Sequence, residues 1–178
     1  MRKLVVYTLL SLDGVAEAPE VFFTEFDDAM EENLAQVIGS QDAVLLGRRM
    51  FDEWSRFWPS SDIEPFASFI NSVRKYVVTS RPLEDEWTNA TAIDGDLATF
   101  VADLKAQPGG DIGVHGSISV AQQLLEAELV DELDLVIAPA LQVEGSKLFD
   151  GVAQRRLVLH CSATSPAGYL MLAYSVKR

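Results

Sequence analysis

Hydrophobic and polar positions divide the chain into short apolar runs separated by stretches of helical period. The most informative stretch is 111–149. Ile112 and Val114 begin a strand, Gly116 and Ser117 interrupt it, and Val120, Ala121, Leu124 and Leu125 then recur at helical spacing. Leu133, Leu135, Val136 and Ile137 form a second strand, which Pro139 stops. Strand, helix and strand in this order predict a crossover between parallel strands. Such a unit leaves the N–H groups of Gly116 and Ser117 at a helix N-terminus, where a phosphate can sit.

The rest of the chain extends the pattern. Residues 3–10 form an apolar run without strict alternation, as expected of a strand covered on both faces. A helix is predicted over 24–38, with Thr24 and Asp27 as a capping box and Phe26, Met30, Leu34 and Val37 as its apolar face. A buried strand over 42–46 runs into Gly47-Arg48-Arg49, after which Met50, Phe51, Trp54, Phe57 and Trp58 keep helical spacing. A second capped helix is predicted over 61–73, with Ser61 and Glu64 as its box. Strands follow at 75–79 and 90–93, and then a helix carrying Leu97, Phe100, Val101 and Leu104. Residues 157–163 alternate, placing Leu157, Leu159 and Cys161 on one face. The turn to the final strand at 169–176 is too short for any but an antiparallel pair. The expected fold is α/β, a mostly parallel central sheet with helices on both faces and an antiparallel C-terminal hairpin.

Composition narrows the function classes. At 178 residues the chain is read as one domain, residues 1–178, with a full core. Its net charge of -13 would repel nucleic acid and anionic membranes, and no apolar run could span a bilayer. An anionic cofactor would therefore need a local cluster of arginine or lysine. The apolar start is short, β-branched and followed by Asp13-Gly14, which favours a first strand over a signal peptide. One cysteine, Cys161, excludes an internal disulfide, and a cytoplasmic location is expected. With only His115, His160 and Cys161 as soft ligands, no zinc site is expected.

The scarce basic residues mark the candidate chemistry. Arg48 and Arg49 fall in the first turn of a helix, where the dipole disfavours cations unless an anion is held there. Guanidinium groups suit phosphate by bidentate hydrogen bonding; the alternative is two exposed arginines paired with Asp52 and Glu53. Ser80 and Arg81 occupy a second strand end. Asp13 ends the first strand, where open α/β sheets place ligands, and reads equally as an Asp-Gly turn. His115 is expected to be a hydrogen-bonded strand-end residue and His160 a surface one.

Together SLDG at 11–14, GRRMF at 47–51, KYVVTSRPL at 75–83, PGGDIGVHGS at 108–117, VHGSISVAQQLL at 114–125, LVDELDLVIAPAL at 129–141 and GSKLF at 145–149 resemble the dihydrofolate-reductase-like superfamily. The branch it is most similar to is the C-terminal reductase domain of the bifunctional riboflavin-biosynthesis deaminase-reductase. That resemblance implies NADPH, often a homodimer, and hydride transfer to a pyrimidine- or pterin-like substrate, as in 5-amino-6-(5-phosphoribosylamino)uracil reductase. It implies that Gly47, Arg48 and Arg49 bind cofactor phosphates, that Ser80 and Arg81 lie near the 2′-phosphate, and that Gly116, Ser117 and Ile118 cover the pyrophosphate. It places Asp13 beside the nicotinamide as proton donor or orienter. Two departures stand out. Met50 replaces the usual threonine, and Leu141-Gln142-Val143-Glu144-Gly145 replaces a Leu-Gly-x-Gly loop. They leave a second possibility, a catalytically inactive dimeric nucleotide-binding domain. A third, dihydrofolate reductase itself, lacks the Trp-rich substrate loop.

Overall fold

Leu4–Ser11 (β1) is buried along almost its whole length because it lies inside a sheet covered on both sides. The computed structural model describes residues 1–177. After β1 come Asp28–Gly39 (α1), Gln41–Gly47 (β2), Arg48–Phe57 (α2), Phe66–Ser72 (α3), Arg74–Val78 (β3) and Ala90–Ile93 (β4). Then follow Leu97–Ala106 (α4), Asp111–His115 (β5), Ile118–Glu126 (α5), Glu132–Ala138 (β6), Leu157–Thr164 (β7) and Leu170–Val176 (β8). The sheet order is β4-β3-β2-β5-β1-β6-β8-β7. The first six in that order are parallel, and β8 and β7 continue antiparallel, as expected from the hairpin. The crossover predicted from β5 through α5 to β6 forms, with β1 between its two strands.

The order dictates which face each helix covers. From β1 the chain moves outward through β2 to β3, and from β4 it returns to β5 and passes on to β6. Right-handed crossovers in opposite directions put their helices on opposite faces. Accordingly α1, α2 and α3 bury Met30, Leu34, Phe51, Phe66 and Ile70 against Val44, Leu46 and Val136. On the other face α4 and α5 bury Val101, Leu104, Val120 and Leu124 against Leu4, Val6, Leu45 and Leu133. Alternate residues of one strand thus serve two cores, which is why the strands lack a polar face.

Three local expectations need correction. The first helix starts at Asp28, and its cap is the Asp27 carboxylate accepting from Met30 N–H at 3.1 Å, not Thr24. Phe26 lies outside that helix and is exposed. The third helix starts at Phe66, because Pro65 disfavours helical backbone at Glu64. Ser61 accepts from Ile63 N–H and Glu64 accepts from Ser68, so no Ser61–Glu64 box forms. In β7 a bulge between Leu159 and Cys161 shifts the register and breaks the predicted alternation. Both residues are exposed.

Candidate functional site

All six parallel strands end on one edge of the sheet, and the turns leaving β3, β2, β5, β1 and β6 line it in that order. Adjacent strands are about 4.8 Å apart, so this row spans about 19 Å. Its switch point lies between β2 and β5, whose following helices α2 and α5 cover opposite faces. Ligands of open α/β sheets bind at such a crevice.

The two turns there are joined. Ser117 Oγ accepts from Gly47 N–H at 3.0 Å. Gly116 adopts φ +68°, which a side chain would strain, and a Cβ there would lie 2.9 Å from Met50 Cε. Both α2 and α5 begin without a side-chain cap, whereas α1 and α4 are capped by Asp27 and Asp96. Two helix N-termini therefore bring unshared N–H donors and positive dipole ends to one crevice. Ile118 opens α5 and packs partly into the core.

The arginines are arranged less simply. Arg48 Nε donates to Asp52 at 2.7 Å, and its Nη1 donates to Pro82 O at 2.7 Å. Arg48 therefore ties α2 to the turn after β3. Arg49 pairs with Glu53 at 3.1 Å and Glu17 at 3.6 Å while remaining 80% exposed. The carboxylate pairing weighed from the sequence is present for both. The Arg48 side chain is largely buried, whereas the Arg49 pairs are exposed and contribute little. The Arg49 pairs are weak enough for an incoming phosphate to compete for this guanidinium. Arg81 is exposed and makes no side-chain ion pair or hydrogen bond among the described residues. Thr79 Oγ1 accepts from Arg81 N–H at 3.1 Å and donates to Arg81 O at 3.0 Å, shaping the turn that also presents Ser80.

Asp13, at the end of β1, is held by its surroundings. Its carboxylate accepts from Ser11 Oγ at 2.7 Å and from Gln142 and Val143 N–H, each at 3.0 Å. These donors, the Gln142 amide foremost, hold its pKa down to about 2. It is a carboxylate at neutral pH. Beyond it, Glu17 accepts from Ser146 N–H and Oγ, both at 2.8 Å. Glu17 carried no local signal in the sequence, because its partner Ser146 is set by the tertiary fold, whereas Thr79 bonds the backbone two residues on, a short-range contact typical of hydroxyl residues in turns. His115 is buried, with Nε2 2.8 Å from Gln41 Oε1, and burial lowers its pKa to about 3. Gly113 makes room for that bond; a Cβ there would lie 2.1 Å from Gln41 Oε1. His160 is exposed beside Ser175.

One cleft, of about 550 Å³, is lined by Leu83, Asp85, Glu86, Trp87 and Ala90. A second, of about 470 Å³ at the edge opposite the carboxyl ends, is lined by Arg2, Gln41, Asp42, Arg74 and Asn89. Arg2 is engaged there by Asp42 and Gly110 O, and no helix N-terminus of the crossover units opens on that side. The carboxyl edge carries the stronger chemistry. Among the described residues no group of three or more His, Cys, Asp or Glu could hold a metal ion. No described helix is long and apolar enough to cross a membrane.

Sheet order and switch-point crevice define an open-sheet α/β domain. The chain belongs to the RibD C-terminal domain family, whose model matches residues 2–170. The uncharacterised protein YyaP of Bacillus subtilis strain 168 is 29% identical over 97% of this chain and 94% of its own length. YwjB of the same organism, also uncharacterised, is 24% identical over 83% of each. Among solved structures, a candidate riboflavin biosynthesis protein from Shewanella sp. PV-4 superposes with TM-score 0.80 at 18% identity, covering 99% of both chains. A pyrimidine reductase-like protein from Corynebacterium diphtheriae gives 0.72 at 18% identity, covering 99% of this chain and 92% of its own. The Thermotoga maritima diaminohydroxyphosphoribosylaminopyrimidine deaminase/5-amino-6-(5-phosphoribosylamino)uracil reductase gives 0.72 at 12% identity. This chain spans 57% of that longer one.

Proposed function

We propose that the protein is an NADPH-dependent reductase that delivers hydride to a C=N or C=O carbon of a pyrimidine- or pterin-like heterocycle. The observation that carries this reading is the meeting of two uncapped helix N-termini at the switch point, held together by Ser117 Oγ and Gly47 N–H. Family membership supports the same chemistry.

The donor set fits a dinucleotide. The N–H groups of α2 and α5 would take the pyrophosphate, with Gly47, Gly116, Ser117 and Ile118 forming the cradle. Arg49 would add charge beside it. Ser80 and Arg81 would meet the adenosine 2′-phosphate, which calls for a cationic partner and favours NADPH over NADH. Arg48, already bonded to Pro82 O, would hold the Arg81 turn in place. A reduced nicotinamide supplies the hydride; this chain orients the reactants, which lowers the barrier through placement. The substrate heteroatom gains its proton from water. An ionised Asp13 serves as an orienting acceptor for that water or a substrate N–H, because a group with pKa about 2 is a poor donor near pH 7.

One observation favours a second reading, a dimeric nucleotide-binding domain without turnover. Met50 packs its terminal methyl over Gly116, where the family resemblance leads one to expect a hydroxyl. NADPH titration followed by tryptophan fluorescence and thermal unfolding separates the cases. The reductase reading expects saturable binding, weakened about tenfold in Arg81→Ala, and absorbance loss at the nicotinamide band with a heterocyclic substrate. No binding ends the reductase reading. Binding without oxidation across pterins and ribosylaminopyrimidines selects the second. We also propose a homodimer, to be checked by sedimentation equilibrium.

A further inference from the structure

Along the carboxyl edge the supply of cations changes. The β3 and β2 side carries Arg48, Arg49 and Arg81, set among Asp52, Glu53 and Glu84, and the β1 and β6 side carries Asp13 and the loop it holds. Under the proposed function the dinucleotide lies on the arginine-bearing half, which leaves the β1 and β6 half to the substrate. That half is built from two segments, 12–27 and 139–149. They contain Asp13, Glu17, Glu20, Glu25, Asp27 and Glu144 against one cation, Lys147. No lysine or arginine occurs between Lys3 and Arg48. The cation reaching towards this half from α2, Arg49, meets Glu17 at 3.6 Å.

The same segments expose apolar side chains beside Asp13. Leu12 is 62%, Leu141 69% and Val143 73% exposed. They are held as a unit by Leu12 N–H to Ala140 O at 2.8 Å and by the Asp13 bonds to Gln142 and Val143. Apolar surface beside a fixed carboxylate suits the face of an uncharged or cationic ring whose N–H groups can donate. A phosphate there would meet carboxylates with one lysine to offset them.

We infer that the substrate is a heterocycle without a phosphate group, neutral or cationic, seated on Leu12, Leu141 and Val143. This rests on the proposed reductase reading for the placement of cofactor and substrate. It separates this chain from the Thermotoga neighbour, whose name includes a phosphoribosyl compound.

The test compares 5-amino-6-ribosylaminouracil with its 5′-phosphate by fluorescence titration of the protein, with and without NADPH. The expected result is binding of the nucleoside about tenfold tighter than its phosphate at about 0.02 M salt. The gap should narrow at about 0.5 M salt, where charge is screened. Glu144→Lys should narrow it too, by tightening the phosphate alone. Equal or tighter binding of the phosphate, or binding of neither compound, overturns the inference. Absence of NADPH binding with the nucleoside preference intact would instead remove the reductase reading.

Discussion

Val143 is a β-branched residue held at φ +67°, a conformation that L side chains rarely adopt. Glu144 N–H donates to Gln142 O at 2.8 Å across it, closing a three-residue turn of the rare positive-φ kind. Such strain costs about 1–3 kcal/mol. Asp13 offsets it by accepting from the amides of Gln142 and Val143 itself. Val143→Gly should therefore raise stability by about 1 kcal/mol, after allowing for the entropy that glycine adds to the unfolded chain. A urea unfolding midpoint that fell in this variant would show that the turn is not strained. Asp13→Asn tests the other half of the contact. A folded pKa of about 2 lies below the unfolded value near 3.9, so the carboxylate adds stability above pH 4 that is lost as pH falls towards 2. The variant should be less stable than wild type at pH 7 and match it near pH 2. A constant difference across that range would mean that charge plays no part.

Helix starts separate structure from function at the scale of elements. Asp27 and Asp96 complete α1 and α4 with their own carboxylates, bonding Met30 and Thr99 N–H. A cap stabilises its helix, so Asp96→Ala should lower the unfolding midpoint and leave NADPH affinity unchanged. Ser117 behaves differently because its hydroxyl is committed to Gly47. Ser117→Ala leaves that N–H without its partner, and should cost about 1–2 kcal/mol while weakening NADPH about tenfold. Parallel titrations of the two variants decide this. Equal loss of affinity in both would mean that the α5 start acts only through stability.

At the scale of the molecule, the sheet carries an acidic residue in an unfavourable place. Asp134 on β6 is paired in register with Tyr7 on β1, and burial, with Glu132 nearby, raises its pKa to about 6. A raised carboxyl pKa favours the folded state below pH 4, and that contribution disappears as pH rises through 6. Two units correspond to about 3 kcal/mol at most, reduced to about 1 kcal/mol by partial exposure. Asp134→Asn should raise thermal stability at pH 7.5 and flatten its dependence between pH 4 and 6. A variant that loses stability at pH 7.5 would show that the ionised carboxylate is needed.

Element type was legible along most of the chain because the helices carry their own period and the buried strands read as short apolar runs. Leu45 against Val44 and Leu46, or Val120 with Leu124, are local patterns that sequence neighbours settle. The glycine turn at 116, the parallel crossover and the C-terminal hairpin followed from local spacing and chain length. The bulge in β7 and the late start of α3 were not legible, since alternation and cap motifs do not report register or the reach of a proline. The arginines at 48, 49 and 81 stood out against an acidic background, but their partners did not. Arg48 is bonded to a carbonyl 34 residues away, and Asp13 to amides 129 and 130 residues away. Local sequence can specify which groups are present and the backbone shape that carries them. Which of those groups meet depends on strand order, and strand order is settled only when both faces of the sheet are covered.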